Sequence, residues 1–231
     1  MKHNSLPDRL HLGCGDFAPD GWLNSDGSWH IRLARWPSVR RLAIAIGLLP
    51  RFHADHAWPT SIMHLDLRHP LPFADNQFTA IYASHVLEHL QRPQALALLR
   101  QARRCCREGG VVRMAVPNLA FQIAEYLQGR ILPEAPGNTA ADTLFYRLHL
   151  RPVPTAAGRF QGLRRLYHHL YDFNSHKWGY DAASLLALFR EAGFANPRER
   201  QILDSDIDDI ARIERAERIN DGGTLIVEAV K

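Results

Sequence analysis

The glycine pair Gly13 and Gly15 constrains the fold of this chain more than any other feature of its sequence. It follows an apolar run, Leu10-His11-Leu12, which is typical of a buried strand that leads into a loop. The backbone of a Gly-x-Gly loop can approach a ligand closely, because glycine has no side chain and tolerates positive φ. The next apolar run, residues 22–25, ends at Asp26, an acid suited to hydrogen-bonding the hydroxyls of a ribose. Together the two features predict the first part of a nucleotide-type cofactor site.

Apolar runs alternate with helical patterns along the chain, which is typical of βαβ units and a parallel sheet. Residues 78–83 are predicted to form a central strand, because too few of them are polar for either face to meet water. Helices are expected at residues 94–106, just after Pro93, and from the N-cap Asp181 to residue 193. The other strands are predicted at residues 9–12, 22–25, 62–65, 111–116, 201–203 and 224–230.

The length of 231 residues and the apolar content of 46% fit one domain, residues 1–231. Two segments are too long for a minimal α/β unit. Residues 27–59 are basic and rich in tryptophan, and residues 129–179 are rich in Pro, Arg, His and Tyr. Long insertions of this kind are usually functional, so both are predicted to form a cap. The expected core covers about 9–128 and 180–231, and the expected cap covers about 27–59 and 129–179.

The three cysteines, Cys14, Cys105 and Cys106, do not make a disulfide framework. Residues 1–5 lack the apolar core of a secretory signal, and the longest apolar run, residues 42–49, is far too short to span a bilayer. We therefore expect a protein of the reducing cytoplasm.

The net charge is +4, and arginines cluster within residues 32–51 and 159–165. A basic patch of this kind is a solvated helix face or a binding surface for anionic lipid, a phosphorylated substrate or nucleic acid. Nucleic acid is disfavoured, because the chain carries no recognisable nucleic-acid motif. Leu33, Val39 and Leu42, with Ile46, form an apolar face opposite the arginines, which is compatible with peripheral contact at a membrane surface. Packing of this face against the core, under basic solvent contacts, is the other interpretation and the commoner one for such a face.

Several short motifs occur in a fixed order along the chain. They are Leu-His-Leu-Gly-Cys-Gly at 10–15, Asp66, Leu-Pro-Phe-Ala-Asp-Asn-Gln-Phe at 71–78, Ser-His-Val-Leu-Glu-His-Leu at 84–90, Leu-Leu-Arg-Gln-Ala-Arg-Arg at 98–104 and Glu-Gly-Gly-Val-Val-Arg-Met-Ala-Val-Pro at 108–117. This set resembles the class I S-adenosylmethionine-dependent methyltransferases, and it is similar to the broad type 11 group over residues 9 to 120. Residues 176–194 resemble bacterial members of one subgroup. The resemblance implies a Rossmann-like fold with a mostly parallel seven-stranded sheet, flanking helices and helical cap insertions.

The resemblance also implies S-adenosylmethionine as the cofactor and assigns residues to it. The backbone of Gly13, Cys14 and Gly15 is expected to contact the methionine part, and Asp26 to bind the ribose hydroxyls. The family's acid two residues before the first glycine falls at His11, which we place with the cofactor-binding residues.

Further contacts with the cofactor are expected from two other loops. Asp66 would accept a hydrogen bond from the adenine amino group, and Leu67 would offer its backbone N–H. Ser84 and His85, at the tip of the central strand, would lie near the reactive methyl group. The sequence departs from the family pattern at Phe17, which replaces the third glycine, and the segment from Gly13 to Asp26 is too short for a full helix.

Methyl transfer needs a nucleophile in line with the C–S bond and, for a hydroxyl acceptor, removal of its proton. Histidine suits that step. His85 is the first candidate, followed by His176 and Tyr180, and the alternative role of His85 is contact with the cofactor alone. Residues 84–87 lack the Asn/Asp-Pro-Pro-aromatic turn of enzymes that methylate amines of nucleic acid. A small-molecule, sugar or lipid-linked acceptor, methylated on oxygen or nitrogen, is therefore expected.

Three alternatives stay open. The first is a non-catalytic module that holds the cofactor or a partner on a methyltransferase fold. The second is a nicotinamide-dependent oxidoreductase, whose motif requires glycine where this chain has Ala18. The third is a zinc protease, because residues 85–89 match the pattern H-x-x-E-H, which places two histidines on one helix face. The pattern follows directly from a buried strand, however, so we predict no metal site.

Overall fold

Seven strands form one sheet in the computed structural model, which describes residues 7–28, 30–45, 58–149, 175–215 and 223–231. The strands are β1 (Arg9–Leu12), β2 (Leu23–Asp26), β3 (Met63–His64), β4 (Phe78–Ser84), β5 (Cys106–Pro117), β6 (Arg198–Arg200) and β7 (Thr224–Val230). Their order across the sheet is β3-β2-β1-β4-β5-β7-β6. Strand β7 pairs antiparallel with β5 and β6, and the remaining pairs are parallel. The predicted mostly parallel, seven-stranded sheet is confirmed.

Six helices accompany the sheet within the described ranges. They are α1 (His30–Ala34), α2 (Pro37–Ala45), α3 (Arg92–Cys105), α4 (Leu119–Leu127), α5 (Ala140–Arg147) and α6 (Ala182–Glu191). The predicted N-cap of α6 is confirmed: the Asp181 carboxylate accepts a hydrogen bond from the Ser184 N–H at 2.8 Å, and the Ser184 hydroxyl oxygen accepts one from the Asp181 N–H at 3.0 Å. As the sequence predicts, the described residues contain no helix between β1 and β2.

The core lies on either side of β4, the central strand of the sheet. Phe78 and Ile81 are fully buried, as expected for a strand whose residues are apolar on both faces. Helix α3 buries the stripe Ala95, Leu99 and Ala102, spaced three to four residues apart, in the same cluster. The adjacent Cys105 and Cys106 are buried thiols at the junction of α3 and β5.

Two predicted strand boundaries are wrong. Strand β5 begins at Cys106 rather than residue 111, directly after α3, so Gly109 and Gly110 lie inside the strand. The strand predicted at residues 201–203 is instead a turn, and β6 ends at Arg200. The backbone turns there because the Gln201 carbonyl accepts a hydrogen bond from the buried Arg113.

The described parts of the two predicted insertions carry α1 and α2, and α5, respectively. Residues 29, 46–57 and 150–174, which include Ile46, lie outside the described residues. The alternative that the apolar face of α2 packs against the core is wrong for Val39 and Leu42, which are 50% and 62% exposed. In the part of the chain that the structure describes, no helix has the length and apolar character needed to cross a bilayer.

Candidate functional site

The carboxyl ends of β1, β2 and β4 meet at one edge of the sheet. The chain reverses its direction across the sheet between β1 and β4, and ligands of open α/β sheets bind at such switch points. Gly13 follows β1, Asp26 ends β2 and Ser84 ends β4. The three loops predicted to hold the cofactor are therefore neighbours in the fold.

The glycine loop after β1 has the backbone that its sequence predicts. Gly13 and Gly15 adopt φ values of 63° and 62°, which side-chain-bearing residues rarely take. A Cβ atom on Gly13 would overlap Cγ2 of Val86, so the loop packs directly on the segment that follows β4. Between the two glycines, the Cys14 N–H donates to the Ser25 carbonyl at 3.0 Å and ties the loop to β2.

Asp26 joins the glycine loop to the end of β2. Its Oδ2 accepts a hydrogen bond from the Gly15 N–H at 2.9 Å, and its Oδ1 accepts one from the Ser28 N–H at 2.7 Å. A carboxylate offers about four lone-pair sites, so these bonds are compatible with further donors such as ribose hydroxyls. The position and the chemistry of Asp26 therefore both fit the predicted role.

Asp66 follows β3 and forms an ion pair with Arg68. The Arg68 guanidinium approaches both carboxylate oxygens, at 2.9 Å from Nε to Oδ1 and 2.6 Å from Nη2 to Oδ2. This hydrogen bonding lowers the pKa of Asp66 below its usual value, so the side chain is an acceptor at neutral pH. Leu67, next to it, packs its side chain against the main core cluster. This packing holds in place the backbone N–H that is predicted to bind the adenine.

His11 lies inside an aromatic cluster between β1 and β4. Its imidazole is buried, with Nδ1 3.1 Å from Oδ1 of Asn24. The Tyr82 ring lies 5.6 Å away and the Trp22 ring 6.5 Å away, centroid to centroid. Packing within this cluster accounts for the burial of the ring, and a contact between His11 and the cofactor stays a prediction.

His85 stands at the turn that follows β4, in an unusual backbone conformation. Its φ is 56°, in the left-handed region, and its N–H donates to the Ala115 carbonyl at 2.9 Å. Such conformations are uncommon in residues other than glycine and cluster at functional sites. The side chain is 37% exposed, and its Nδ1 lies 3.2 Å from Oε1 of Glu88.

Glu88 connects the candidate residues from two distant parts of the sequence. Its side chain is buried, and its carbonyl accepts hydrogen bonds from the Lys177 and Trp178 N–H groups at 2.6 and 3.2 Å. These bonds bring the segment 175–180 beside the turn after β4, with His176 Nε2 4.0 Å from Glu88 Oε1. Glu88 is not among the site residues predicted from the sequence, although a carboxylate within an apolar motif at a strand end is a visible signal.

Burial shapes the protonation of the other two catalytic candidates. It lowers the pKa of His176 to about 4, against an opposing effect of Glu88, so this imidazole is neutral at neutral pH. It raises the pKa of Tyr180, and the nearby Glu88 charge adds to the rise. A phenol held in its protonated form is suited to donate a hydrogen bond rather than to remove a proton.

The pattern of residues 85–89 does not form the structure of a zinc protease. Residues Leu87–His89 make a single 3-10 turn, and the continuous α-helix that would place His85 and His89 on one face is not formed. His85 and His89 therefore do not share the helix face that the protease motif requires.

The chain is similar in sequence to a known family of proteins. A family model described as a methyltransferase domain matches residues 17–198. No curated protein matches the chain. Among solved structures, the chain is similar to three S-adenosylmethionine-dependent methyltransferases, from Thermotoga maritima (13% identity, 96% of this chain and 81% of that chain, TM-score 0.46), Mesorhizobium loti (18%, 96% and 90%, 0.45) and Archaeoglobus fulgidus (12%, 96% and 85%, 0.46).

Proposed function

The chain belongs to the methyltransferase-domain family, and we propose that it methylates an oxygen or nitrogen of a small-molecule, sugar or lipid-linked acceptor. It is an S-adenosylmethionine-dependent enzyme, and S-adenosylmethionine is its cofactor. When bound, that cofactor supplies an electrophilic methyl group on a sulfonium. The chemistry left to the protein is to hold both partners in line and to take up the acceptor's proton.

The residues at the sheet edge fit this cofactor. The left-handed glycines, packed on Val86, leave no side chain between the loop backbone and a ligand. We propose that the loop holds the methionine part, together with His11, and that Asp26 binds the ribose. Asp66 and Leu67 would hold the adenine. Arg68 shares the oxygens of Asp66, so the adenine amino group would bind alongside that ion pair.

Ser84 provides a further polar group at this edge. Its hydroxyl oxygen is buried and has no hydrogen-bond partner among the residues that the structure describes. Buried polar groups are nearly always paired, and an unpaired one at a cofactor edge is explained by a ligand that completes it. This observation supports the proposed place of Ser84 beside the bound cofactor.

The pair of His85 and Glu88 is the observation that carries the proposed catalytic step. The Glu88 carboxylate, 3.2 Å from His85 Nδ1, favours the tautomer with its proton on Nδ1 and so makes Nε2 the basic nitrogen. His85 directly precedes Val86, on which the glycine loop packs, so the imidazole stands at the cofactor edge. We propose that it removes the proton of an acceptor hydroxyl, with His176 and Tyr180 lining the same site.

The exposed face of α1 and α2 favours a lipid-linked acceptor among the three classes. Trp36, just before α2, and Leu42 on α2 are 65% and 62% exposed. Arg32 on α1, Arg35 in the turn between the helices and Arg41 on α2 are exposed as well. Apolar side chains flanked by arginines are the composition of helices that rest on anionic membrane surfaces. Contact of this face with a membrane would bring a lipid-linked acceptor to the enzyme.

Replacing Trp36 and Leu42 together by alanine is expected to lower transfer of a labelled methyl group to vesicle-presented acceptors. Each side chain contributes about 1.5 kcal/mol or more when buried in lipid, so binding to anionic vesicles should fall about tenfold or more per residue. Transfer is measured with radiolabelled S-adenosylmethionine and a panel of free alcohols, free sugars, amines and lipid-linked sugars in vesicles.

The matched control is Val230→Ala. It removes an exposed apolar side chain at the end of β7, where Val230 pairs with Val111 of β5. Equal vesicle binding by the double variant and this control would contradict the membrane-facing role. Transfer to free alcohols alone would redirect the acceptor to a small molecule. Cofactor binding without transfer to any acceptor of the panel would instead favour the non-catalytic module.

A further inference from the structure

Three potential metal ligands from two distant segments meet beside the turn after β4. Glu88, His89 and His176 each offer one ligand atom, and these atoms all lie within 4.8 Å of one another. We propose that these three residues bind a divalent first-row transition-metal ion. Ligand atoms around a tetrahedral ion stand roughly 3.4 Å apart at bond lengths of about 2.0–2.2 Å, so small side-chain movements complete the site.

The state of the Glu88 carboxylate is the first independent argument for a cation. The residue is 1% exposed, and among the residues that the structure describes the His85 imidazole, 3.2 Å from Oε1, is the near neighbour of a carboxylate that otherwise lacks hydrogen-bond partners. A buried carboxylate with so few polar partners is costly, because burial removes its hydration and little replaces it. His85 lies near Oε1, but a single imidazole leaves most of the lone pairs unused. A bound cation would compensate both the charge and the lone pairs.

The two imidazoles are prepared for metal binding. His89 Nδ1 lies 3.2 Å from the Ser175 carbonyl, which favours the proton on Nδ1 and directs Nε2 to a metal, as is usual for metal-bound histidine. His176 Nε2 lies 4.0 Å from Glu88 Oε1, so this nitrogen already stands beside the carboxylate. The His176 ring stacks on His149, with centroids 4.6 Å apart, which limits its rotation.

The donor set decides which class of ion fits. One carboxylate and two imidazoles suit zinc, cobalt, manganese or iron in the divalent state, whereas magnesium and calcium prefer oxygen ligands alone. Three protein ligands also leave coordination positions for water or for a substrate oxygen. If the proposed methyl transfer holds, an acceptor oxygen bound to the ion would lie near His85, because His85 Nδ1 is 3.2 Å from Oε1 of the ligand Glu88.

The test is titration of Co²⁺ into protein stripped with a chelator, read by the visible absorption of bound cobalt, with Zn²⁺ as competitor. Wild-type protein is expected to bind one equivalent that Zn²⁺ displaces. His89→Ala and His176→Ala should each weaken binding on the order of 100-fold or more, since even outer partners of metal ligands contribute about 10–100-fold. His69→Ala, which removes a largely exposed imidazole, is the matched control and should bind as wild type.

Binding of S-adenosylhomocysteine is measured on every variant, and it confirms that each is folded. No stoichiometric cobalt binding by wild-type protein would overturn the proposal, as would unchanged binding in both histidine variants or displacement by Mg²⁺ at concentrations similar to Zn²⁺. The readout does not require turnover, so a failed metal site leaves the proposed methyl transfer untouched.

Discussion

Replacing Arg113 by methionine is expected to lower the free energy of unfolding by about 3–5 kcal/mol. Arg113 lies on β5 with a fully buried side chain, paired bidentately with Glu214 at 3.0 and 2.7 Å and with Glu228 at 3.1 Å. Its remaining donors bind the carbonyls of Asp204 and Gln201. Methionine fills much of the volume but leaves the buried Glu214 without its cation and leaves Glu228 to pair with the Arg200 guanidinium, 3.6 Å away. Urea denaturation with linear extrapolation measures the loss.

The matched control is Arg107→Met, the same substitution on the same strand. Arg107 pairs with Asp8 at 3.0 Å on the surface, where ion pairs contribute about 0–1 kcal/mol. A second variant, with Glu214 and Glu228 replaced by leucine in addition to Arg113→Met, removes the buried charges and should regain part of the stability. The recovery is partial because leucine leaves the Leu203 and Asp206 N–H groups without their acceptors. Equal losses for Arg107→Met and Arg113→Met would contradict the assigned role of the buried network.

Replacing His85 by asparagine is expected to lower kcat by about 10²–10⁴-fold, the usual contribution of a general base. Asparagine tolerates the left-handed backbone that His85 adopts, at φ 56°, so the turn after β4 should keep its shape. The affinity for S-adenosylmethionine should change by no more than about threefold, because the lost interaction acts on the acceptor's proton. The readouts are single-turnover rates with the best acceptor of the transfer panel and the cofactor Kd.

His69→Asn, at a largely exposed histidine, provides the control for the chemical change itself. Glu88→Gln should lower kcat less than His85→Asn, because it removes the charge that orients the imidazole and leaves the imidazole in place. A variant His85→Asn with weakened cofactor binding and an almost unchanged rate of methyl transfer would contradict the base role. That outcome would instead support the alternative, in which His85 contacts the cofactor alone.

The parts of the fold that the sequence predicts well are those with a single dominant local signal. The run at 78–83 has too few polar residues for either face to meet water, and it forms the central strand. Asp181 precedes a regular apolar stripe and caps α6. Gly13 and Gly15 are required by a backbone conformation, so their pattern is visible without any knowledge of tertiary contacts.

The features that the sequence does not reveal depend on contacts between distant segments. Glu88 and His176 are far apart in the chain, and only the hydrogen bonds from Lys177 and Trp178 to the Glu88 carbonyl bring them together. The turn at residues 201–203 follows from the demand of a buried guanidinium for carbonyl oxygens, which overrides the apolar strand pattern. Similarly, the period of α2 predicts an apolar face, but only the fold shows that this face is exposed.

We propose that the loops after β1 and β2 hold S-adenosylmethionine, and calorimetric titration measures that binding without any need for an acceptor. S-adenosylmethionine and S-adenosylhomocysteine should each bind wild-type protein with one-to-one stoichiometry, and NADH should not bind. Asp26→Ala should weaken both adenosyl ligands about 10–100-fold, since a hydrogen bond to a charged group contributes about 1.5–3 kcal/mol. Asp20→Ala, at an exposed acid of the same loop, should bind as wild type. Binding of NADH without the adenosyl ligands, or an Asp26→Ala variant that binds them as tightly as wild type, would contradict the account.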